Sequence, residues 1–164
     1  SIQKVIFISS TSVYPVSNSL VTEETTTMNT PLSAIENLFR DTTFFETTII
    51  RFAGLFGPGR HPGSWFKNGK TIPQPNGFVN MIHLEDCIEI IHEILDQDCW
   101  GTTFNACSND HPSRRDFYTN ARKSLNFENP IFEENSQLKY KIISSKKLQE
   151  DLSYQFIHDN LLDI

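Results

Sequence analysis

The sequence predicts an α/β fold organised on a parallel sheet, and three observations carry that prediction. VIFI (5–8) is an unbroken apolar run of strand length, the pattern of a strand covered on both faces. TTIIRF (47–52) and TTFNA (102–106) are two further short runs rich in β-branched and apolar residues. Between and after these runs lie segments of helical period, and strands alternating with helices imply crossover connections.

Taken in order, VIFI ends abruptly on the hydroxyls of Ser9, Ser10 and Thr11, with Tyr14 close behind. The stretch SNSLVTEETTTMNT is polar and irregular and reads as a loop. Thr30 followed by Pro31 has the form of an N-cap with proline in the first helical position, and Leu32, Ile35, Leu38 and Phe39 fall on one face of the predicted helix. TTIIRF runs into AGLFGPGRHPG, where glycine and proline forbid regular structure. Residues 68–76 form another predicted loop. IHLEDCIEIIHEILDQ has apolar residues at 84, 87, 88, 91, 94 and 95, a helix with Glu85 and Asp86 near its positive end. After the third strand, Ser113 and Asp116 resemble a capping box, with Phe117, Ala121 and Leu125 continuing on one face. SSKKLQEDL (144–152) reads as a last helix before a frayed terminus. Three strands make a poor sheet of this type, so the pattern predicts further elements upstream.

The totals narrow the function. The 164 residues suffice for one domain with a core, and 38% hydrophobic with 21% charged residues describes a globular chain. A net charge of −6 argues against broad binding to a phosphate backbone, while leaving room for a local basic pocket. The three cysteines, Cys87, Cys99 and Cys107, have no CxxC spacing and read as reduced thiols, which predicts a cytoplasmic protein without a disulfide frame or zinc site. No apolar run reaches the roughly 20 residues of a membrane span.

Open parallel sheets bind ligands at the carboxyl ends of their strands. The Ser9–Ser10–Thr11 hydroxyls stand at such an end, where they suit either hydrogen bonding to a ligand or ordinary turn chemistry. FGPGR (56–60) offers glycines for close backbone approach and Arg60 as a phosphate fork, or is simply a loop. Arg51, inside an apolar strand, must pair, because an unpaired buried charge is costly. His83 precedes the strongest helix and suits a cleft or a boundary position. The other histidines show no metal-ligand spacing, Glu23–Glu24 and Glu133–Glu134 read as solvated loop charges, and the chain holds no Gly-x-Gly-x-x-Gly and no Walker loop.

In order and spacing these pieces resemble the extended short-chain dehydrogenases/reductases, the NAD-dependent epimerase/dehydratase group. VIFISSTSVYP is similar to the "SS-x-x-VY" strand end, TTIIRFAGLFGPGR to "LR-x-x-x-x-YGPG", and NMIHLEDCIEIIHEIL to the "IHVDD" segment. GTTFNACSNDHPSRRDFY is similar to the "YNV" strand with its helix, and SSKKLQEDLSY to the "KL-x-x-LGW" ending. The resemblance covers most of residues 4–154 and is greatest to an atypical subgroup of nucleoside-diphosphate-sugar epimerases with an "LRLAGLYGPGR" segment.

The resemblance implies the C-terminal half of a Rossmann-like parallel sheet with a small substrate-binding lobe. Residues 1–56 and 83–107 would belong to the NAD(P)-binding domain, and 57–82 and 108–164 to the lobe. It implies NAD or NADP as cofactor and a small-molecule substrate of the sugar-nucleotide kind, with no nucleic acid or membrane partner and with room for a homodimer. Ser10 takes the place of the catalytic hydroxyl. Ser9, Ser10, Gly54 and Leu55 would meet the cofactor, and Tyr14, Arg60, Asn80 and His83 the substrate. The chain departs from the group at Tyr-x-x-x-Lys. Residues 22–40 contain neither tyrosine nor lysine, Met28 and Leu32 stand in those places, and Gly54 replaces an asparagine. The implied functions are therefore epimerase/dehydratase chemistry or, alternatively, non-catalytic dinucleotide binding on the same fold.

Overall fold

In the computed structural model, which describes residues 1–164, the three apolar runs pair in parallel as one sheet. The chain order is β1 (Lys4–Ser10), β2 (Leu20–Val21), α1 (Pro31–Asp41), β3 (Glu46–Phe52), β4 (Gly54–Phe56), β5 (Thr71–Ile72), β6 (Met81–His83), α2 (Leu84–Asp96), β7 (Thr103–Ala106), α3 (Arg114–Ser124), β8 (Ile131–Phe132), β9 (Ile142–Ile143) and α4 (Lys146–Leu152). The sheet order is β1-β3-β7, so the most apolar strand, β3, is central and nearly all buried. Register sets Ser9 opposite Arg51 and Arg51 opposite Asn105, a row of polar residues across the carboxyl end of the sheet. Short strands of two or three residues, missed in the sequence, pair in parallel as β2-β9, β4-β6 and β5-β8, and β2-β9 and β5-β8 tie the later half of the chain to the earlier half.

Two apolar clusters form the interior. The larger joins Ile50, Phe52 and Phe104 of the sheet to Ile90 and Ile94 of α2 and to Leu148 and Leu152 of α4. The smaller gathers Phe56, Ile72, Val79, Met81, Phe117, Tyr118 and Leu161. Burying a side chain of the size of Ile90 or Ile94 contributes about 1.5–3 kcal/mol. Gly63 lets a 3-10 turn at 62–64 lie against α3: a Cβ there would stand 2.2 Å from the Ala121 carbonyl oxygen.

Helix α1 starts as the sequence predicts. The Thr30 side chain accepts from the Ser33 N–H, Ser33 answers the Thr30 N–H, and Pro31 occupies the first turn. Its inward face is the predicted one only in part: Leu32 packs against the core and Phe39 stacks on Phe7, but Ile35 and Leu38 do not turn inward. Ser33 and Glu36 are buried, whereas Leu38 is 73% exposed and Ile35 41%. The reason is Arg51: a buried guanidinium needs a counter-charge, so the helix turns Glu36 to the sheet and leaves Ile35 and Leu38 outward. Helix α2 shows a milder shift, burying Asp86, Cys87, Ile90 and Ile94 and leaving Leu84, Ile88 and Leu95 half-exposed.

The terminus is not frayed. Asp86 is fully buried and accepts from the Tyr154 hydroxyl at 2.7 Å, the Ile157 N–H at 2.7 Å and the His158 N–H at 3.1 Å. Leu161 is buried beyond it, and its N–H donates to Asp110. The acid read as a partner of the helix dipole is thus the anchor of the C-terminal segment. No helix is long and apolar enough to cross a membrane.

Candidate functional site

The polar row of the sheet closes into an internal network. Arg51 donates from Nε and Nη2 to the Glu36 carboxylate at 2.9 and 2.6 Å, and Ser9 Oγ donates to the same carboxylate. Arg51 Nη1 donates to the Tyr14 hydroxyl at 2.6 Å, which donates in turn to Asn105 Oδ1 at 2.7 Å. Burial would raise the Glu36 carboxyl, but hydrogen bonds from Arg51 and Ser9 prevail and hold it below the ordinary range. Burial pushes the Tyr14 phenol up despite Arg51, so at neutral pH it keeps its proton. The structural pairing expected of Arg51 is present. Ser9, expected at the cofactor, and Tyr14, expected at the substrate, are instead buried members of this network, with their hydroxyls engaged inside the protein.

Above the row, the ends of β1 and β3 open into a hollow of about 340 Å³. Ser10, Thr11 and Ser12 line one side, Ala53 and Gly54 the floor, Phe78 to Met81 a second side, and Arg114, Tyr118 and Lys141 the remainder. Ser10 Oγ accepts from the Ser12 N–H at 3.1 Å and caps the short turn there, which leaves its own O–H free to donate into the hollow. Lys141 Nζ donates to the Thr11 and Tyr14 carbonyls, each at 2.9 Å, pinning the turn that carries Ser10. Burial lowers the Lys141 ammonium from the usual lysine range. Arg114 donates from Nε to the Pro73 carbonyl at 2.8 Å and lies 5.3 Å over the Tyr118 ring. The lining includes two cations and no carboxylate, in a chain of net charge −6. A second hollow of about 390 Å³ differs: its lining mixes Glu23 and Glu24 with Arg40, Arg51 and Lys147.

Of the residues predicted for the site, the structure brings Ser10, Gly54 and Asn80 together in the hollow. Asn80 has both ends of its amide engaged, donating to the Lys141 carbonyl at 2.8 Å and accepting from the Ile143 N–H at 2.9 Å. It acts as a clamp between β6 and β9. At Gly54 a Cβ would lie 2.6 Å from Met81 Sδ and 3.1 Å from the Asn80 carbonyl oxygen, so a larger residue would require the Met81 side chain to move. Leu55, half-exposed, is outside the hollow, and its carbonyl accepts from Arg60 Nε at 2.8 Å. Arg60 is held there, 5.5 Å over the Trp65 ring, and does not line the hollow. His83 also stands apart: it N-caps α2, accepting from the Glu85 N–H at 3.1 Å. Arg114, Tyr118 and Lys141 were missed. Arg114 sat beside a visible cap at Ser113 and Tyr118 in the helix that follows, but Lys141 lies in a segment without periodicity, and only tertiary pairing reveals it.

No protein-family profile matches the chain. Protein YeeZ of Escherichia coli (strain K12) is 36% identical over 161 residues, which cover 94% of this chain and 58% of that protein. The chain thus spans little more than half the length of the curated relatives it matches. A conserved protein of unknown function from Silicibacter pomeroyi DSS superposes with a TM-score of 0.81 at 20% identity, covering 97% of this chain and 63% of that one. UDP-glucuronic acid 4-epimerase from Bacillus cereus, solved in complex with NAD, superposes with a TM-score of 0.77 at 18% identity, covering 98% and 58%. The fold is therefore the Rossmann-like α/β architecture found in NAD-dependent epimerase/dehydratase structures.

Proposed function

We propose that this chain supplies the substrate side of an NAD(P)-linked, nucleoside-diphosphate-sugar epimerase/dehydratase-like protein, binding an anionic sugar-nucleotide-like ligand in the hollow above β1 and β3. The observation that carries the proposal is the composition of that hollow. Two cations and a free hydroxyl meet there without a carboxylate, although acids outnumber bases in the chain. A concave site of one sign concentrates ligands of the other, and the planar Arg114 fork suits phosphate oxygens. Ser10 would donate its O–H to the substrate oxygen on the carbon that gains or loses hydride. Lys141 holds the Ser10 turn in place and adds positive charge beside it.

The residues fit the reactive end of a nicotinamide. Ser10, Ala53 and Gly54 present small side chains at the strand ends, where a flat ring can lie against backbone. When bound, the cofactor would accept or return hydride. The chain's own part is to orient the substrate, shield it and donate a hydrogen bond from Ser10.

Helix α1 favours a second reading. Its sequence, PLSAIENLFRD, contains no tyrosine and no lysine, and Glu36 on its inner face is committed to Arg51. A protein of this kind binds a dinucleotide and an anionic ligand without turnover. One experiment separates the readings: the full-length gene product is titrated calorimetrically with NAD(H), NADP(H) and UDP-sugars, then assayed for hydride exchange. The first reading expects binding of one dinucleotide, turnover, and loss of turnover in Ser10→Ala. Binding without exchange selects the second. Absence of binding to every dinucleotide and sugar nucleotide refutes both.

A further inference from the structure

At the N-terminal end of α2 lies a cluster that the hollow does not involve. His83 caps the helix, Glu85 stands in its first turn, and His158 arrives from the C-terminal segment. The imidazoles of His83 and His158 face each other with centroids 3.7 Å apart at 32°. His158 Nε2 meets Glu85 Oε2 at 2.7 Å. One donor atom from each of the three residues falls within 4.8 Å of the others. His83 and His158 are half-buried and Glu85 is exposed, so an ion can enter from solvent without opening the fold.

We propose that His83, Glu85 and His158 form a binding site for a late first-row divalent cation of the zinc class. Two imidazole nitrogens and one carboxylate oxygen are a borderline donor set that favours zinc, nickel and copper over magnesium and calcium, which take oxygen ligands. Three protein ligands also leave a fourth position of a tetrahedral ion for water. The cluster joins residues 73 positions apart, so a bound ion would cross-link the C-terminal segment to α2 next to its anchor at Asp86.

Binding requires two local changes. A ring rotation must aim both in-plane lone pairs at one ion, because the rings now overlap face to face. The His83 cap must also open: a neutral imidazole has one acceptor nitrogen, and at present Nδ1 accepts from the Glu85 N–H. The ion replaces that bond and the hydrogen bond between His158 and Glu85.

The test is competition for Zn²⁺ against a chromophoric chelator, with Co²⁺ absorption as a second readout, on the purified chain at neutral pH. The expected result is one ion per chain, a melting temperature that rises with Zn²⁺, and no response to Mg²⁺ or Ca²⁺. His158→Gln should weaken Zn²⁺ at least as much as the roughly 10–100-fold loss seen when outer-sphere partners of a metal are removed. His83→Asn, which retains a capping side chain, should do the same, whereas His92→Gln at an exposed position should change nothing. Glu85→Gln, on the exposed side of the first turn, decides the matter if the His158 variant does not fold. Equal Zn²⁺ affinity in wild type and ligand variants overturns the proposal, as does a melting temperature that follows pH alone or a matching response to Mg²⁺.

Discussion

Glu36→Gln tests the internal network directly. The Glu36 carboxylate is 1% exposed and accepts from Arg51 Nε at 2.9 and 3.2 Å, from Arg51 Nη2 at 2.6 Å and from Ser9. The amide preserves shape but removes the charge opposite a guanidinium that is itself 4% exposed. Removing one partner of a buried pair costs about 3–5 kcal/mol. Glutamine still offers one acceptor oxygen, so a loss near 3 kcal/mol is expected, a large part of the roughly 5–15 kcal/mol that stabilises a domain. Urea unfolding followed by circular dichroism and by Trp65 and Trp100 fluorescence measures it. The pH dependence supplies a second arm. The folded-state pKa of Glu36 is depressed, so its contribution is present above the ordinary glutamate value near 4.3 and is lost as pH falls through the lower folded value. Wild-type stability should therefore fall below about pH 4.5 through a component that the variant lacks. The double variant Glu36→Leu, Arg51→Met should recover much of the loss, since replacing a buried pair with apolar side chains is often neutral. A loss under about 1 kcal/mol in Glu36→Gln, or an unchanged acid limb, would refute the argument.

Three further outcomes are expected. Gly63→Ala should destabilise the chain by about 1–3 kcal/mol in the same urea assay, because the new methyl meets the Ala121 carbonyl, and a backbone cannot step aside cheaply. Thr30→Ala should cost about 1 kcal/mol through loss of the α1 cap, and Thr30→Ser should restore most of it. In native protein a thiol reagent at pH 8 should label only Cys99, and slowly: burial pushes the Cys87 thiol up to about 12 and the enclosed Cys107 further still, while Cys99 is half-exposed and less raised. Mass spectrometry of the labelled chain identifies the site.

What the sequence displayed was local. The apolar runs of β1 and β3, the Thr30-Pro31 start of α1 and the period of α2 all lie within single short windows, and each is where it was expected. The apolar period of α1 shows its inner face only in part, because Arg51 on another element draws Glu36 inward and leaves Ile35 and Leu38 outside. The same limit applies to the site. Ser10 and Gly54 follow visible strands, whereas Lys141 reaches Thr11 across 130 positions and His158 reaches Glu85 across 73. The strands of two or three residues are too short to show a period, and only the parallel partner of each makes it a strand.

The packed terminus bears on how the chain can be handled. A boundary drawn where the last helix stops, at Leu152, looks harmless on paper. Cutting there would strip Asp86 of all three of its donors and strand a carboxylate among apolar neighbours. Fusions and affinity handles therefore belong elsewhere than on a shortened end, and a protease that nips the last dozen residues would loosen α2 from a distance.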